Sequence, residues 1–283
     1  MSFIEAIILG LVQGLTEFLP ISSSAHLRII GEILPSATDP GATFTAITQI
    51  GTELAVILYF RKDIARIIGR WFRHFGKPGG AHADFVPKND PDVRLGWLII
   101  IGTLPIVIIG FVAQDTIRSV FRSLWLIAIV LIVFGIILGL ADFLGKRVKN
   151  ITQMSYRDGI LIGLAQVLAL IPGVSRSGAT MTAGLSLGYT RPAAARFGFL
   201  LAIPAVFGSG LYELVHSFGE PEGAYGYPET LVATVVAFGV GYAVIAFLMR
   251  YIEKRSFLPF VIYRVVLGTV LLVLLSLGIL SPL

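Results

Sequence analysis

Long apolar stretches alternate with short polar ones along the chain, and this pattern predicts membrane-spanning helices. A helix that crosses the apolar core of a bilayer needs about 20 predominantly apolar residues. Six stretches satisfy this requirement closely, and they cover residues 44–60, 95–113, 124–143, 197–216, 230–249 and 258–280. Only 14% of the residues are charged and 55% are hydrophobic, whereas soluble domains carry about 25% charged residues. The sequence therefore predicts an all-α polytopic membrane protein.

Two further apolar regions are interrupted near their middle, and each predicts a re-entrant helical hairpin. Residues 3–19 end at Pro20 and a run of serines, and the apolar residues 21–34 follow. The second region, 158–190, is broken by a polar segment at 172–180. Backbone that is not helical is tolerated at membrane depth only where protein or water surrounds it. We therefore expect both elbows to be enclosed by the other helices.

The two hairpins are related by an internal repeat. An ungapped offset of 153 residues pairs Gly10 with Gly163, Gln13 with Gln166, Ser22 with Ser175 and Ser24 with Ser177. Each half then holds one hairpin and three spans, and because three is odd, the halves have opposite orientations, as in inverted-repeat transporters. We expect a single membrane domain over 1–283, with one repeat at about 1–145 and the other at about 150–283.

The charges of the loops predict the orientation of the chain. Basic residues concentrate in the loops 61–94, 146–157 and 250–256, which the positive-inside rule places in the cytoplasm. The acidic loop 217–229 and both termini then lie outside. The net charge of +5 is explained by this topology, and no basic patch with interleaved aromatic residues indicates a nucleic-acid partner. The hairpins enter from opposite sides, so their elbows approach each other near the midplane.

The first elbow carries a carboxylate that is costly to place in a membrane. Gln13 and Glu17 are four residues apart and share one face of a helix. A carboxylate and an amide oxygen suit a hard divalent cation such as Mg²⁺, which also binds phosphate oxygens. Alternatively, Glu17 only hydrogen-bonds to backbone at a helix end.

Hydroxyls and one imidazole follow Glu17 directly. They belong to Ser22, Ser23, Ser24 and His26. A hydroxyl with a base in reach is the arrangement for nucleophilic attack, and His26 could also act as general acid or base, or attack phosphorus itself. Serines frequently cap helices, so Ser22 and Ser24 could serve only as caps.

The second elbow has the composition of an anion-binding site. Its polar groups come from Ser175, Arg176, Ser177, Gly178 and Thr180. They follow a Pro-Gly pair and open a helix, and helix N-termini and arginines both bind phosphate. An arginine among apolar helices needs an anionic partner. We expect Arg176 to pair with Glu17, with a phosphate, or with each in turn.

The segments 13–26 and 172–180 resemble the motifs of the undecaprenyl-diphosphate phosphatases of the bacitracin-resistance (BacA/UppP) type. The resemblance extends to 190–204 and to the length and span pattern of the whole chain. It carries the family's acidic motif onto Gln13 and Glu17, its serine and histidine onto Ser23 and His26, and its phosphate-binding arginine onto Arg176.

Three residues of these motifs differ from those found in many members of the family. Many members have Thr-Gly where this chain has Ser24 and Ala25, which keeps a hydroxyl but loses a flexible residue. The first position of the family's acidic motif is Glu or Gln, and Gln13 in place of Glu removes one possible anionic metal ligand.

The resemblance implies hydrolysis of undecaprenyl diphosphate to undecaprenyl phosphate and inorganic phosphate. This reaction recycles the lipid carrier for peptidoglycan synthesis at the outer side of the bacterial inner membrane, and overexpression confers bacitracin resistance. The resemblance also implies a divalent cation, Mg²⁺ or Ca²⁺, held by Glu17 and Gln13, and phosphate binding by Arg176 with the neighbouring hydroxyl and N–H groups.

The sequence leaves several alternatives open. The nucleophile is Ser23, His26 or water. A secondary transporter or flippase for a phosphorylated isoprenoid lipid would use the same architecture. The glycine-rich stretches 135–145 and 239–241 could pack within one chain or in a homodimer.

Overall fold

The protein is helical throughout the residues that the computed structural model describes, which are 2–35, 40–76, 85–113, 123–218 and 225–280. Their α-helices, in chain order, are α1 Phe3–Thr16, α2 Ser23–Ile33, α3 Gly41–Tyr59, α4 Arg61–Arg73, α5 Pro91–Val112, α6 Leu124–Leu144, α7 Tyr156–Val167, α8 Arg176–Ser186, α9 Arg191–Ser217, α10 Tyr227–Lys254 and α11 Leu258–Ser276. Two short 3₁₀ helices lie at Ile151–Gln153 and Leu168–Leu170. The only β-type pairing within these ranges is one isolated bridge between Lys149 and Tyr189. The all-α prediction is confirmed.

Six of the described helices, α3, α5, α6, α9, α10 and α11, are long and apolar enough to cross a membrane. They coincide with the six predicted spans, but several extend further. For example, α9 begins at Arg191, six residues before the predicted start at 197. Thr190 caps this helix by accepting a hydrogen bond from the Ala193 N–H, and Pro192 lies in its first turn. These polar signals start the helix before its apolar part, so hydropathy alone placed its beginning too late.

The two hairpins are pairs of helices too short to span a bilayer. Helices α1 and α2 have 14 and 11 residues, which correspond to lengths of about 21 and 16 Å against an apolar core of about 30 Å. Helices α7 and α8, with 12 and 11 residues, form the second pair. The prediction of two half-length pairs around polar elbows is therefore confirmed.

Each hairpin packs on a spanning helix of the other half of the chain. Helix α1 lies along α10, and α7 lies along α5. A Cβ atom on Gly10 would come within 2.6 Å of the Ala233 carbonyl oxygen, and one on Gly163 within 2.4 Å of the Gly102 oxygen. These two glycines correspond in the 153-residue offset, so the packing agrees with an internal repeat. The opposite orientation of the halves stays a prediction.

The first part of the predicted loop 61–94 is a helix, α4, which the high density of charges concealed. Its arginines pair with carboxylates at the start of α5, where Arg66 and Arg70 contact Asp92 and Asp90. Asp90 also caps α5 by accepting a hydrogen bond from the Asp92 N–H at 2.9 Å. The hydrogen bonds from Arg70 hold the pKa of Asp90 below its ordinary value. Residues 77–84 of the same predicted loop, and 219–224 of the acidic loop, lie outside the described residues.

Ion pairs join the helix ends near the basic loops. Buried Asp142 in α6 accepts a hydrogen bond from Arg191 Nε at 2.6 Å and one from the Phe257 N–H at 2.9 Å. Arg196 pairs with Asp63. These contacts tie α4, α6, α9 and the start of α11 together.

Most glycines of the two glycine-rich stretches pack within the chain. A Cβ on Gly135 or Gly139 would meet Arg264 or Val261 of α11, and one on Gly241 would meet Phe18. Gly239 faces open space. The homodimer stays a prediction.

Candidate functional site

Both elbows turn at a serine with an unusual backbone conformation. Ser22 and Ser175 have φ values of 75° and 71° and are the N-cap residues of α2 and α8. Their hydroxyls accept hydrogen bonds from the N–H groups of Ala25 and Gly178 at 3.4 and 3.1 Å. Residues with side chains rarely adopt positive φ, and such conformations persist where the surroundings enforce them. The two serines correspond in the repeat, so the same strained turn opens both short helices.

The elbows are in direct contact, as the charge topology predicts. The Gly173 N–H donates a hydrogen bond to the Ser22 hydroxyl at 3.2 Å. The Ser177 hydroxyl donates to the Leu19 carbonyl oxygen at 3.2 Å. The polar residues of both hairpins therefore lie together in the interior of the helix bundle.

Arg264 of α11 holds the two elbows, and the sequence analysis did not assign it a role. Its side chain is fully buried, with 0% of its surface exposed. Its guanidinium donates to the carbonyl oxygens of Pro20, Gly173 and Val174 at 3.0, 2.8 and 3.1 Å, and to that of Leu131 at 3.2 Å. A charged residue in the middle of an apolar span marks a functional position, and this signal was present in the predicted span 258–280.

Glu17 is the centre of the polar cluster. Its Oε1 atom forms an ion pair with the Arg176 guanidinium. Its Oε2 atom accepts hydrogen bonds from Gln13 Nε2 at 2.8 Å and from the Ser23 hydroxyl at 2.6 Å. Glu17 therefore contacts Gln13, Ser23 and Arg176, which are the predicted metal ligand, the predicted nucleophile and the predicted phosphate-binding residue.

A second carboxylate, which the sequence analysis missed, contacts the same arginine. Glu53 of α3 is 1% exposed, and its Oε1 atom lies 3.6 Å from the Arg176 guanidinium nitrogen that contacts Glu17. Glu53 follows Gln49 by four residues, which is the spacing between Gln13 and Glu17. That repeated spacing within a predicted span was the signal that could have identified it.

His26 is directed to groups other than Ser23. Its Nδ1 atom lies 2.7 Å from the Ser22 carbonyl oxygen, and its Nε2 atom lies 2.7 Å from the Tyr263 hydroxyl. The His26 and Tyr263 rings are stacked, with centroids 5.6 Å apart. Tyr263 is thus a further contact of the site that the sequence did not indicate.

The remaining predicted residues bond within the elbows. The Ser24 hydroxyl lies 3.1 Å from that of Ser22, and the Ser177 hydroxyl lies 3.0 Å from that of Ser175. Thr180 is buried, and its hydroxyl donates back to the carbonyl oxygen of Arg176 at 3.0 Å. Thr180 also packs on Gly198 of α9.

A cavity of about 520 Å³ opens from the polar cluster. Its lining at the elbows consists of Glu17, Ser22, Ser23, Ser24, Ser175 and Arg176, and further polar side chains come from Gln49, Ser209, Tyr212 and Glu213. Apolar residues form much of its remaining wall, among them Ile106, Val107, Phe111, Leu170 and Val206. Neither His26 nor Thr180 is among its lining residues. An anionic group with an apolar extension matches this distribution of polar and apolar surface.

The cluster has the groups needed to bind an anion and to activate a hydroxyl. Arg176 and the first-turn N–H groups of α2 and α8 attract negative charge. The short hydrogen bond from Ser23 to Glu17 places a nucleophile beside a base. The described residues contain no group of three or more His, Asp and Glu side chains suited to a metal ion. A cation would therefore depend on two carboxylates and amide oxygens, and the Gln13 Oε1 atom is buried with no hydrogen-bond partner.

Comparison with known proteins assigns the chain to a family. The family model described as "Bacitracin resistance protein BacA" matches residues 6–270. The undecaprenyl-diphosphatase of Micrococcus luteus is 62% identical over 283 residues, which cover 99% of this chain and 100% of the relative. The undecaprenyl-diphosphatase of Clavibacter michiganensis is 64% identical over 278 residues, 98% of either chain. Undecaprenyl-diphosphatase 2 of Agrobacterium fabrum is 56% identical, with 99% of this chain and 98% of the relative covered. The two motifs, the joined elbows and these full-length matches lead to one conclusion, that the chain belongs to the bacitracin resistance protein BacA family.

Proposed function

We propose that this protein is an integral-membrane phosphatase that hydrolyses undecaprenyl diphosphate to undecaprenyl phosphate and inorganic phosphate. The observation that carries the proposal is the double contact of Glu17 with Arg176 and Ser23 at the polar part of a largely apolar cavity. The names of full-length relatives at 56 to 64% identity support the same substrate.

Arg176 binds the diphosphate in this proposal. Its guanidinium pairs with Glu17 in the absence of substrate, and a phosphate group competes for the same N–H donors. Arg176 is the first residue of α8, so the N-terminus of this helix lies beside it, and Ser175 lines the cavity next to it. Phosphoryl transfer depends mainly on such positioning and charge stabilisation.

Ser23 is the nucleophile that the geometry favours. Its hydroxyl donates to Glu17 Oε2 at 2.6 Å, so the carboxylate can accept the proton as the Ser23 oxygen attacks the terminal phosphorus. The bond from that phosphorus to the bridging oxygen breaks, and undecaprenyl phosphate leaves. Water then hydrolyses the phosphoserine. His26 bonds to Ser22 and Tyr263 instead, which supports a role in orienting the elbow.

The residues at the elbow fit a divalent cation such as Mg²⁺ or Ca²⁺. Glu17 supplies carboxylate oxygens, and Gln13 supplies an amide oxygen that is buried without a partner. These hard oxygen donors are the ligands that both ions prefer. When bound, such an ion would neutralise charge on the diphosphate oxygens.

The proposed setting is the bacterial inner membrane, with the site open to the extracytoplasmic side and both termini outside. The basic loops support this orientation through the positive-inside rule. The reaction would return the lipid carrier to peptidoglycan synthesis. The chain contains no cysteine, so single cysteines introduced at Lys62 and at Tyr227 can be labelled from the two sides to test the orientation.

The test of the function is phosphate release from undecaprenyl diphosphate by purified protein in detergent, where no gradient exists. We expect stoichiometric phosphate and undecaprenyl phosphate from the wild type, and a loss of about 10³-fold for Arg176→Ala. Arg250→Ala, an exposed arginine of α10, is the matched control and should retain wild-type turnover. No release from folded protein that binds the lipid would overturn the phosphatase and favour the transporter.

A further inference from the structure

Glu53 is a buried carboxyl residue that has no role in the proposed reaction. It lies in the span α3 with 1% of its surface exposed. Its Oε1 atom has a charged neighbour, Arg176, at 3.6 Å. Its Oε2 atom is buried and has no hydrogen-bond partner. An unpaired carboxyl oxygen at membrane depth is costly, and a cation held beside Arg176 would give it a partner.

The two carboxylates flank a single cationic nitrogen. Glu17 and Glu53 both contact the same terminal nitrogen of the Arg176 guanidinium. One guanidinium nitrogen thus serves two carboxyl groups. Arg264, the next cation of the elbows, directs its hydrogen bonds to carbonyl oxygens and to neither of these carboxyl groups.

An amide completes the set of oxygen donors. Gln13 is fully buried, and its Nε2 atom lies 2.8 Å from Glu17 while its Oε1 atom has no partner. Rotation of the amide about its terminal bond exchanges the positions of the two atoms and turns the oxygen toward Glu17. Two carboxylates and one amide oxygen are hard donors of the kind that hold Mg²⁺ and Ca²⁺.

We propose that Glu53 is a third protein ligand, with Glu17 and Gln13, of a divalent cation beside Arg176, next to the cavity that Glu17 and Arg176 line. In the absence of the ion, Arg176 occupies the position between the carboxylates. A bound ion would take both carboxylates as ligands, and the Arg176 guanidinium would then be available to bind phosphate. The role of this ion in catalysis rests on the proposed function. Binding of the ion to the three residues can be measured without turnover.

The test is binding of Mn²⁺, as a spectroscopic substitute for Mg²⁺, to EDTA-treated protein in detergent without substrate. Electron paramagnetic resonance titration should show a saturable site in the wild type that excess Mg²⁺ empties. Glu53→Gln, which keeps the side-chain shape, should weaken Mn²⁺ binding by about tenfold or more. Glu253→Gln, an exposed glutamate of α10, should bind as the wild type does.

A second variant separates ion binding from a purely structural role of Glu53. Arg176→Ala removes the competitor for both carboxylates, so it should bind Mn²⁺ at least as tightly as the wild type. If Glu53 served only to hold Arg176, Glu53→Gln would bind Mn²⁺ like the wild type, and that result would overturn the proposal. Should Glu53→Gln fail to fold, Glu53→Asp can replace it, because this variant keeps the carboxylate but shortens the side chain by one methylene. Unchanged Mn²⁺ affinity in Glu53→Asp would count against Glu53 as a ligand.

The outcomes also separate this site from the proposed phosphatase. Phosphate release by protein that takes up no Mn²⁺ would overturn the role of Glu53 and leave the phosphatase standing. Mn²⁺ binding that depends on Glu53, in protein that releases no phosphate, would support the ion site and overturn the proposed function.

Discussion

At the scale of single residues, the chemistry depends on how Glu17 divides its two oxygens. One oxygen pairs with Arg176, and the other accepts from Ser23 and Gln13. A substrate phosphate can therefore draw Arg176 away without disturbing the contact that activates Ser23. This division explains how one buried carboxylate serves both an anion-binding group and a nucleophile.

The account predicts a phosphoserine at Ser23. Brief reaction with undecaprenyl diphosphate labelled in the terminal phosphate, followed by acid quench, should leave label on the wild-type chain and none on Ser23→Ala. Acid preserves phosphoserine, so mass spectrometry of the digested protein can locate the phosphate. Label on His26 after an alkaline quench, or an unlabelled wild type under both quenches, would instead assign the attack to the imidazole or to water.

Much of this residue-scale arrangement was readable from the sequence, and two parts were not. Polar residues in an apolar chain identified Gln13, Glu17 and Arg176, because burial of such groups requires a partner. Glu53 and Arg264 each carry a charge inside a predicted span, which signals a functional position, but the sequence does not show what they contact. Their roles depend on which faces of α3 and α11 turn toward the elbows, and packing decides that.

At the scale of the elements, the site is formed by the elbows of the two helical hairpins, and helix α11 holds these elbows together. Carbonyl oxygens in both elbows accept their hydrogen bonds from Arg264 of α11. The breaks were predictable from Pro20 and from the Pro-Gly pair at 172–173. The contact between the elbows was predictable from the loop charges, whereas helix α4 was not, because its arginines resembled those of a loop.

Arg264→Met should destabilise the protein by about 3 kcal/mol or more, because buried carbonyl oxygens would lose their donors at about 1 to 3 kcal/mol each. Thermal unfolding in detergent measures the effect, and turnover should fall with the loss of elbow geometry. Arg250→Met, on the exposed surface of α10, is the control and should unfold like the wild type. Equal unfolding midpoints for Arg264→Met and the wild type would show that Arg264 does not hold the elbows.

At the scale of the whole molecule, the described helices line a cavity with a polar part at the elbows and largely apolar walls. Hydropathy predicted the spans that surround this cavity, but its shape depends on close helix contacts at residues such as Gly10 and Gly163. The long lipid chain must leave the cavity between spanning helices, since about 520 Å³ is typical of a pocket for a small ligand.

Filling the cavity should block the substrate without harming the fold. Gly208 of α9 lines the cavity, and a Cβ atom there would meet no atom within 4 Å. Gly208→Trp should therefore lower kcat/KM by about 10²-fold, as expected when a substrate is displaced by about an ångström, with little change in unfolding temperature. Gly239→Trp is the matched control, because Gly239 also faces open space but lies away from the cavity. Equal kcat/KM values for the two variants would place the substrate elsewhere.

The central claim is that phosphate is released where the two hairpins meet, and Glu17→Gln tests it most directly. The substitution keeps the size of the side chain but removes the charge that pairs with Arg176 and the base that faces Ser23. Phosphate release from undecaprenyl diphosphate by purified Glu17→Gln should fall at least about 10³-fold below the wild type, while Glu253→Gln should match the wild type. Wild-type turnover by folded Glu17→Gln would contradict the account and move the reaction away from the joined elbows.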